Sequence, residues 1–232
     1  MITLLLATRN QHKTEEVRAI LGDQFHFLTL TDFPSAPEVI EDANTFAGNA
    51  TKKAVELAKW LSGSRITHHA SRSSRPLVLA DDSGLEVDAL KGAPGIHSAR
   101  FAALDSGGSA NSTDAENRAK LLRLLRDVPL EKRTARFHCV LALTPVLKAK
   151  MAIASQVCYT DEMELQTQLF EGTCEGRIDF APRGQGGFGY DPLFVPEGYQ
   201  QTFAEMSEEL KNSLSHRAKA LMKLRHQLSP RQ

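Results

Sequence analysis

The sequence has few cysteines and no surplus of charge. It contains three cysteines in 232 residues, Cys139, Cys158 and Cys174. Because that number is odd and no CxxC spacing occurs, the sequence indicates neither a disulfide framework nor a zinc cluster. Lys plus Arg and Asp plus Glu both number 28, so the formal net charge is zero. The totals therefore give no sign of a basic face for long nucleic acids, and we expect reduced, buried thiols and no nucleic-acid partner.

Long apolar runs are also missing. No stretch approaches the roughly 20 apolar residues that a membrane-spanning helix needs. The first residues, MITLLLATRN, have no basic segment before a short apolar run, which does not match a signal peptide. Hydrophobic residues make up 41% and charged residues 24% of the chain, as in an ordinary globular protein. We expect a cytoplasmic enzyme or binding protein with no membrane partner, and the length allows one large domain or two small ones.

An apolar run of strand length, Ile2 to Ala7, opens the chain and ends in polar residues. A helical pattern follows, and Asn10 is placed to cap its first turn. The free N–H groups of a first helical turn bind anions, and Lys13 would add a positive charge. The GxxxxGK[ST] string of a P-loop is absent. The pattern indicates a phosphate site, although a capped helix with a solvated lysine explains it as simply.

A second apolar run, Leu77 to Ala80, ends in two adjacent carboxylates, Asp81 and Asp82. Ser83 and Gly84 would let the backbone turn sharply there. Open α/β sheets bind ligands at the carboxyl ends of their strands, and neighbouring acids give oxygen ligands for Mg²⁺ or a base for water. The alternative is an ordinary strand running into an Asp/Ser/Gly turn.

A helix is predicted from Thr45 to Leu61, after an irregular acidic segment that includes Glu41. Its buried stripe consists of Phe46, Ala50, Ala54, Leu57 and Leu61. One of Lys52 and Lys53 can point into a site while the other faces water, and periodicity does not separate them. Residues 62–76 show no apolar period and are predicted to form a mobile loop.

The second half of the chain alternates helix and strand patterns. A capping box, Thr113 with Glu116, starts a helix that ends near Pro129. Three strands are predicted, the first two as a hairpin: Arg136 to Thr144, Met151 to Tyr159, and about Gln168 to Ile178. A helix in two pieces is then predicted from Ala204 to Leu228. Either Ser213 or Ser215 caps the second piece, which places His216 and Arg217 in its first turn.

A glycine-rich loop, GQGGFGYDP, contains a formal GxGxxG in Gly184, Gly186 and Gly189. It is not a dinucleotide fingerprint, because Tyr190-Asp191-Pro192 follows where a helix should open. The two aromatic residues instead suggest a lid in which Phe188 or Tyr190 stacks on a flat base. An aromatic-anchored surface turn is the alternative.

Together these segments resemble one family, the inosine triphosphate pyrophosphatases, also called dITP/XTP pyrophosphatases. The matching strings keep the family's order along nearly the whole chain: TRNQHK, EDANTFAGNATKKA, LADDSGLEVDALKGAPGIHSAR, RFHCVL, GGFGYDP and SLSHRAKAL. The resemblance implies a mixed α/β fold, with a long central sheet flanked by helices and two lobes around a central cleft, in one domain over residues 1–232. It also implies a homodimer and a Mg²⁺-dependent hydrolysis of ITP, dITP and XTP to the monophosphate and pyrophosphate.

The resemblance further implies roles for particular residues. The catalytic residues would be Asp82, Asp81 and Lys53, with Asp82 accepting the proton. Mg²⁺ would be bound by Glu41 and Asp82. The groups that bind the substrate would be Thr8, Asn10, Lys13, Lys53, Ser83, Phe188, Gly189, Tyr190, Asp191, Lys211, His216 and Arg217. Among these, the loop from Phe188 to Asp191 would bind the base, and the last three would close on base and sugar.

Two features depart from the family's pattern. Arg9 stands where a small residue is common, and the 62–76 segment is longer than the family's usual connection. Three other functions fit part of this pattern. A pyrophosphatase for pyrimidine triphosphates and a non-catalytic nucleotide-binding protein fit many of the same residues. A haloacid-dehalogenase-type phosphatase fits less well, because DDSG lacks the DxDx[TV] order of its aspartyl nucleophile.

Overall fold

The structure, a computed structural model, describes residues 1–63, 76–108, 110–147 and 162–229. The predicted strand at Met151 to Tyr159, Cys158 and most of the 62–76 loop lie outside this part of the chain. The described strands are β1 (Ile2–Leu6), β2 (Phe25–Thr29), β3 (Leu77–Val87), β4 (Thr134–Pro145), β5 (Gln168–Ile178) and β6 (Phe194–Pro196). The described α-helices are α1 (Gln11–Leu21), α2 (Phe46–Gly63), α3 (Asp114–Leu124), α4 (Glu162–Leu165), α5 (Glu208–Leu214) and α6 (His216–Leu228).

The strands form one mixed six-stranded sheet in the order β2-β1-β3-β4-β5-β6. β1 is parallel to both β2 and β3, whereas β5 and β6 are antiparallel. The prediction of a mixed α/β fold is therefore confirmed. No helix within the described ranges is long and apolar enough to cross a membrane.

The chain divides into two compact units. The first unit consists of Met1–Asp82, Val140–Phe170 and Leu224–Gln232, and the second of Ser83–Cys139 and Glu171–Lys223. The predictions of a single functional domain and of a central cleft remain predictions.

The core of the first unit forms where β1 and β3 pair and α2 packs. Leu4 pairs in register with Leu77, and Leu6 with Leu79. The apolar residues of this layer are almost fully buried: Leu4, Leu5, Leu6, Val78, Leu79, Ala50, Ala54, Leu57 and Leu61. The continuous apolar runs in the sequence thus correspond to a parallel pair of strands covered on both faces.

The predicted turn after Asp82 is wrong, because β3 continues to Val87. Its parallel neighbour β1 ends at Leu6, and their pairing stops at Leu79. Asp81 and Asp82 therefore lie where β3 extends beyond the carboxyl end of β1. Asp81 and Asp82 thus lie beyond the carboxyl end of β1, the neighbouring strand, and not at the end of β3, the strand that carries them.

The core of the second unit is rich in aromatic residues and ends against helix α6. Phe137, Phe194 and Phe203 are buried and in mutual ring contact, with centroids 4.7 to 6.0 Å apart. Gly172 on β5 faces α6 so closely that a Cβ atom would lie 2.1 Å from the carbonyl oxygen of His216. The start of α6, which carries two of the predicted site residues, is thus fixed by backbone contact with β5.

We predict that Gly172→Ala destabilises the protein by at least ~2 kcal/mol, because the added methyl group meets backbone atoms that can move only with the helix. The matched control is Gly63→Ala, where nothing lies within 4 Å of an added Cβ atom. Urea unfolding measures both variants. Equal midpoints for the two would contradict the close packing of α6 on β5.

Candidate active site

The loop after β1 presents the first turn of α1. The Asn10 side chain accepts a hydrogen bond from Lys13 N at 3.1 Å, so the predicted N-cap is confirmed. Asn10 N in turn donates to Thr8 Oγ1 at 3.1 Å. Both bonds fix the loop at the start of α1, where the first turn of the helix carries backbone N–H groups. This is an arrangement suited to an anion.

Lys13 connects this loop to the acidic part of β3. Its ammonium group donates to the carboxylate of Asp81. Asp81 is buried, whereas the Lys13 side chain keeps 20% of its surface exposed. The lysine can therefore reach solvent, or a ligand, while it remains paired with a buried acid.

Lys53 lies at the centre of an acidic cluster in the first unit, which consists of Glu41, Asp81 and Asp82. Its Nζ atom donates to the carbonyl oxygen of Asp81 at 2.7 Å, to Glu41 Oε1 at 3.1 Å and to Asp82 Oδ1 at 3.3 Å. Lys53 is buried, because it is seven residues after Phe46 on the inner face of α2. Lys52 lies on the outer face and pairs with exposed Asp42 at 2.6 Å. The structure thus resolves the ambiguity between the two lysines.

Asn49 is a further member of the cluster that the sequence reasoning missed. It is fully buried, and its Nδ2 donates to Asp82 Oδ2 at 3.2 Å. Its Oδ1 accepts from Ala43 N at 2.9 Å, which ties the segment beside Glu41 to Asp82. The signal was available in the sequence. Asn49 and Lys53 are two polar residues one turn apart on the buried stripe of α2, and buried polar groups need partners.

The charges of the cluster act on one another through little water. Burial raises the pKa of Asp82 to about 6; Glu41 adds to this rise, and Lys53, Lys13 and Asn49 oppose it. Burial alone would lower the pKa of Lys53, but the charges of Asp82, Glu41 and Asp81 outweigh burial and raise it. Lys53 therefore stays cationic, and Asp82 can take up a proton near neutral pH.

Within the described ranges, no group of three or more His, Cys, Asp or Glu side chains could hold a metal ion by itself. Mg²⁺ at phosphate-transfer sites needs less than this, since one or two carboxylates bind it together with water and the phosphates of the substrate. Glu41 and Asp82 both contact the same ammonium group, so their oxygens lie within reach of a single cation. The donor set fits Mg²⁺ with a substrate present.

The second unit holds a separate cluster around Asp191. This buried carboxylate accepts from Lys211 Nζ at 2.8 Å and from Phe188 N at 2.9 Å. The half-buried Phe188 ring lies 4.9 Å from Lys211 Nζ and 5.8 Å from Arg217 Cζ. Both cations lie over the ring, so an aromatic surface and hydrogen-bond donors occur together here.

Helix α6 carries two further predicted site residues, His216 and Arg217, in its first turn. Ser215 Oγ accepts from Ala218 N at 3.1 Å, so Ser215 is the cap and Ser213 is not. Arg217 is buried, and its Nη2 donates to Ser83 Oγ at 2.9 Å. His216 is buried and stacks on Phe137, with ring centroids 4.7 Å apart.

The prediction that Tyr190 could stack on a base is wrong. Its side chain is only 4% exposed within the aromatic core, and its hydroxyl donates to the carbonyl oxygen of Ser98 at 2.9 Å. Phe188 is the less buried of the two aromatic residues, since Tyr190 packs into the aromatic core. Gly189 lies beside it with a φ of +61°.

The structure therefore gathers the predicted residues into two groups, one in each unit. The first contains Glu41, Lys13, Lys53, Asp81 and Asp82, beside the loop of Thr8 and Asn10. The second contains Ser83, Phe188, Asp191, Lys211 and Arg217, with His216 on the core side of the same helix start.

We predict that Lys211→Met destabilises the protein by about 3 to 5 kcal/mol, because it leaves the buried Asp191 carboxylate without its ammonium partner. Lys52→Met removes the same charge from an exposed ion pair and should change the stability far less, because water screens that pair. Denaturant unfolding at neutral pH compares the two. A loss in Lys211→Met no larger than in Lys52→Met would mean that the buried pair does not stabilise the second unit.

Comparison with known proteins assigns the chain to a family. Residues 4–227 match the model of the Ham1 family. The chain is 45% identical to a dITP/XTP pyrophosphatase of Desulforamulus reducens over 95% of this chain and 92% of the relative, and 45% identical to one of Geobacillus kaustophilus over 98% and 94%. A HAM1 protein of Coxiella burnetii has a similar structure, with a TM-score of 0.73 and 35% identity over 98% of each chain. The Ham1 protein of Staphylococcus aureus gives a TM-score of 0.72 and 32% identity over 97% of each chain. With these matches along nearly its whole length, the chain belongs to the Ham1 family.

Proposed function

We propose that this chain hydrolyses the non-standard purine nucleotides dITP, ITP and XTP to the nucleoside monophosphate and pyrophosphate, and so clears them from the nucleotide pool. The observation that carries the proposal is the set of contacts made by Lys53, which joins Glu41, Asp82 and the Asp81 carbonyl group. A cation held among acids at a strand end suits a polyanionic substrate that arrives with a divalent cation. The dITP/XTP pyrophosphatases to which the chain is similar support the choice of substrate.

The triphosphate would be bound by the first unit. Thr8 and Asn10 fix the loop at the start of α1, and Lys13 and Lys53 supply the positive charge. Both lysines are already paired with acids, so they are positioned before a ligand arrives. This preorganisation reduces the free energy lost in orienting them on the phosphates.

Glu41 and Asp82 would hold Mg²⁺. When bound, this ion would neutralise charge on the phosphate oxygens. Asp82 would act as the base that accepts the proton of the attacking water at a carboxylate oxygen. Asn49 and Lys53 each contact one of its oxygens and hold the carboxylate in place. Asp81 would orient Lys13 and Lys53 rather than react itself.

The base would be bound by the second unit. Phe188 offers a stacking surface, and Gly189 and Asp191 shape the loop that carries it. Hypoxanthine and xanthine have an oxygen at position 6, which accepts hydrogen bonds, whereas adenine has an amine that donates there. The guanidinium of Arg217 or an N–H group of the loop would face this position, with Lys211, His216 and Ser83 around it. Two donors facing each other leave a buried group unpaired, at a cost of about 1 to 3 kcal/mol.

The resemblance also supports a homodimer, a single functional domain over residues 1–232 and a cytoplasmic location, and we include them in the proposal. Sedimentation of the purified chain tests the dimer directly.

The test of the function is a turnover screen with ITP, dITP, XTP, ATP, GTP and dTTP, in which phosphate and pyrophosphate are measured separately with and without Mg²⁺. The proposal expects pyrophosphate from the first three nucleotides, and only when Mg²⁺ is present. Preferential turnover of dTTP would favour a pyrimidine enzyme. Binding of dITP without pyrophosphate release would favour a non-catalytic nucleotide-binding protein.

We predict that Asp82→Asn lowers kcat at least ~100-fold, because one substitution removes both a metal ligand and a base. Asp42→Asn is the matched control, since Asp42 is exposed and pairs with the outward-facing Lys52. Steady-state kinetics with dITP measure both. Near-normal turnover in Asp82→Asn would exclude Asp82 from the reaction.

We predict that Arg217→Ala narrows the preference for ITP over ATP, because the donor that should favour the oxygen at position 6 is lost. The measured quantity is the ratio of kcat/KM for the two nucleotides. Because Arg217 is buried, thermal unfolding must first show that the variant is folded. An unchanged ratio in a folded variant would indicate that shape alone selects the base.

A further inference from the structure

Helix α3 holds both backbone polar groups of Gly189. Asp114 Oδ2 accepts from Gly189 N at 2.6 Å, and Arg118 Nη1 donates to the carbonyl oxygen of Gly189 at 2.7 Å. Both bonds involve a charged side chain, and such bonds are stronger than those between neutral groups. Asp114 and Arg118 thus bind the backbone N–H and carbonyl groups of Gly189, a single residue of the glycine-rich loop.

The two side chains are placed by the helix itself. Asp114 and Arg118 are four residues apart, so they lie on the same face of α3. The start of the helix is fixed by a complete capping box, in which Thr113 and Glu116 each bond the other's backbone N–H group. Asp114 is in the first turn, where a negative charge is favourable. The helix therefore presents the pair in a defined position.

At Gly189 the loop is held by these hydrogen bonds and not by side-chain packing. Nothing lies within 4 Å of the position that a Cβ atom would occupy there. The neighbouring Phe188 is held on its other side, because its amide donates to Asp191 and its carbonyl oxygen accepts from Asp191 N at 3.1 Å. The backbone beside the Phe188 ring is thus held by the Asp191 carboxylate and by the α3 pair, next to Tyr190 in the aromatic core.

We propose that Asp114 and Arg118 are positioning residues, which fix the Phe188 loop from α3 and thereby set how tightly the enzyme binds the base of its substrate. This inference rests on the proposed function, in which Phe188 stacks on the base. Both residues belong to the second unit, whereas the groups proposed to bind the phosphates belong to the first. Loss of the pair should therefore weaken binding of the nucleotide and leave the phosphate chemistry unchanged.

The experiment compares Arg118→Ala, Asp114→Ala and Asp114→Asn with the wild type. The control is Arg123→Ala, which removes a guanidinium from the same helix but from an ion pair with Asp105 at 2.6 Å. Two readouts are taken from each protein: hydrogen exchange of the peptide covering residues 184–192, and kcat and KM for dITP together with the inhibition constant of pyrophosphate. Hydrogen exchange measures how firmly the loop is held, and it can be measured even in a variant that has no activity.

The proposal expects faster exchange in the loop and a roughly tenfold rise in KM for both alanine variants. It expects kcat and the pyrophosphate inhibition constant to stay within about twofold of the wild type, since only the loop proposed to bind the nucleobase is altered. Asp114→Asn should behave nearly as the wild type, because an amide oxygen can still accept from Gly189 N.

The inference is overturned if loop exchange in the alanine variants equals that in Arg123→Ala, or if the loop loosens while KM stays constant. A fall of kcat for dITP with an unchanged KM would also overturn it. A wild-type chain that released no pyrophosphate from any nucleotide would instead refute the proposed function. The exchange data would then still decide whether α3 holds the loop.

Discussion

The buried ammonium group of Lys53 is the interaction on which the site in the first unit depends. Two carboxylates, Glu41 and Asp82, would repel each other in a poorly hydrated place, and Lys53 offsets that repulsion from one helix position. This group of three charges is costly to bury and would be unfavourable in a protein selected for stability alone. Its presence is explained if the same groups serve a charged substrate. Asn49 completes the arrangement by holding the second oxygen of Asp82.

Much of this could be predicted from local patterns in the sequence. The capping roles of Asn10 and Thr113 were predictable, because a side chain that bonds its own helix start needs no distant partner. The apolar runs at Ile2 and Leu77 identified the parallel pair of strands, since residues covered on both faces leave no alternation. The resemblance then supplied what periodicity could not, namely which polar residues form one set.

The errors came from contacts between residues far apart in the sequence. The end of β3 could not be read from Asp81 and Ser83, because the length of the neighbouring β1 decides where the acids emerge from the sheet. Tyr190 looked like a stacking residue until the aromatic core around it was known. Arg118 gave no signal at all, since nothing local marks a helix residue that donates to a loop 71 positions away.

The most direct test of the central claim is the anomalous scattering of Mn²⁺ in a crystal of the chain with a dITP analogue whose α,β bridging oxygen is replaced by an imido group. If Lys53, Glu41 and Asp82 form the phosphate and metal site, one strong peak is expected at the carboxylates of Glu41 and Asp82, with Lys13 and Lys53 on the phosphates. A peak elsewhere, with Lys53 still bound only to its acids and no phosphate near it, would exclude this site.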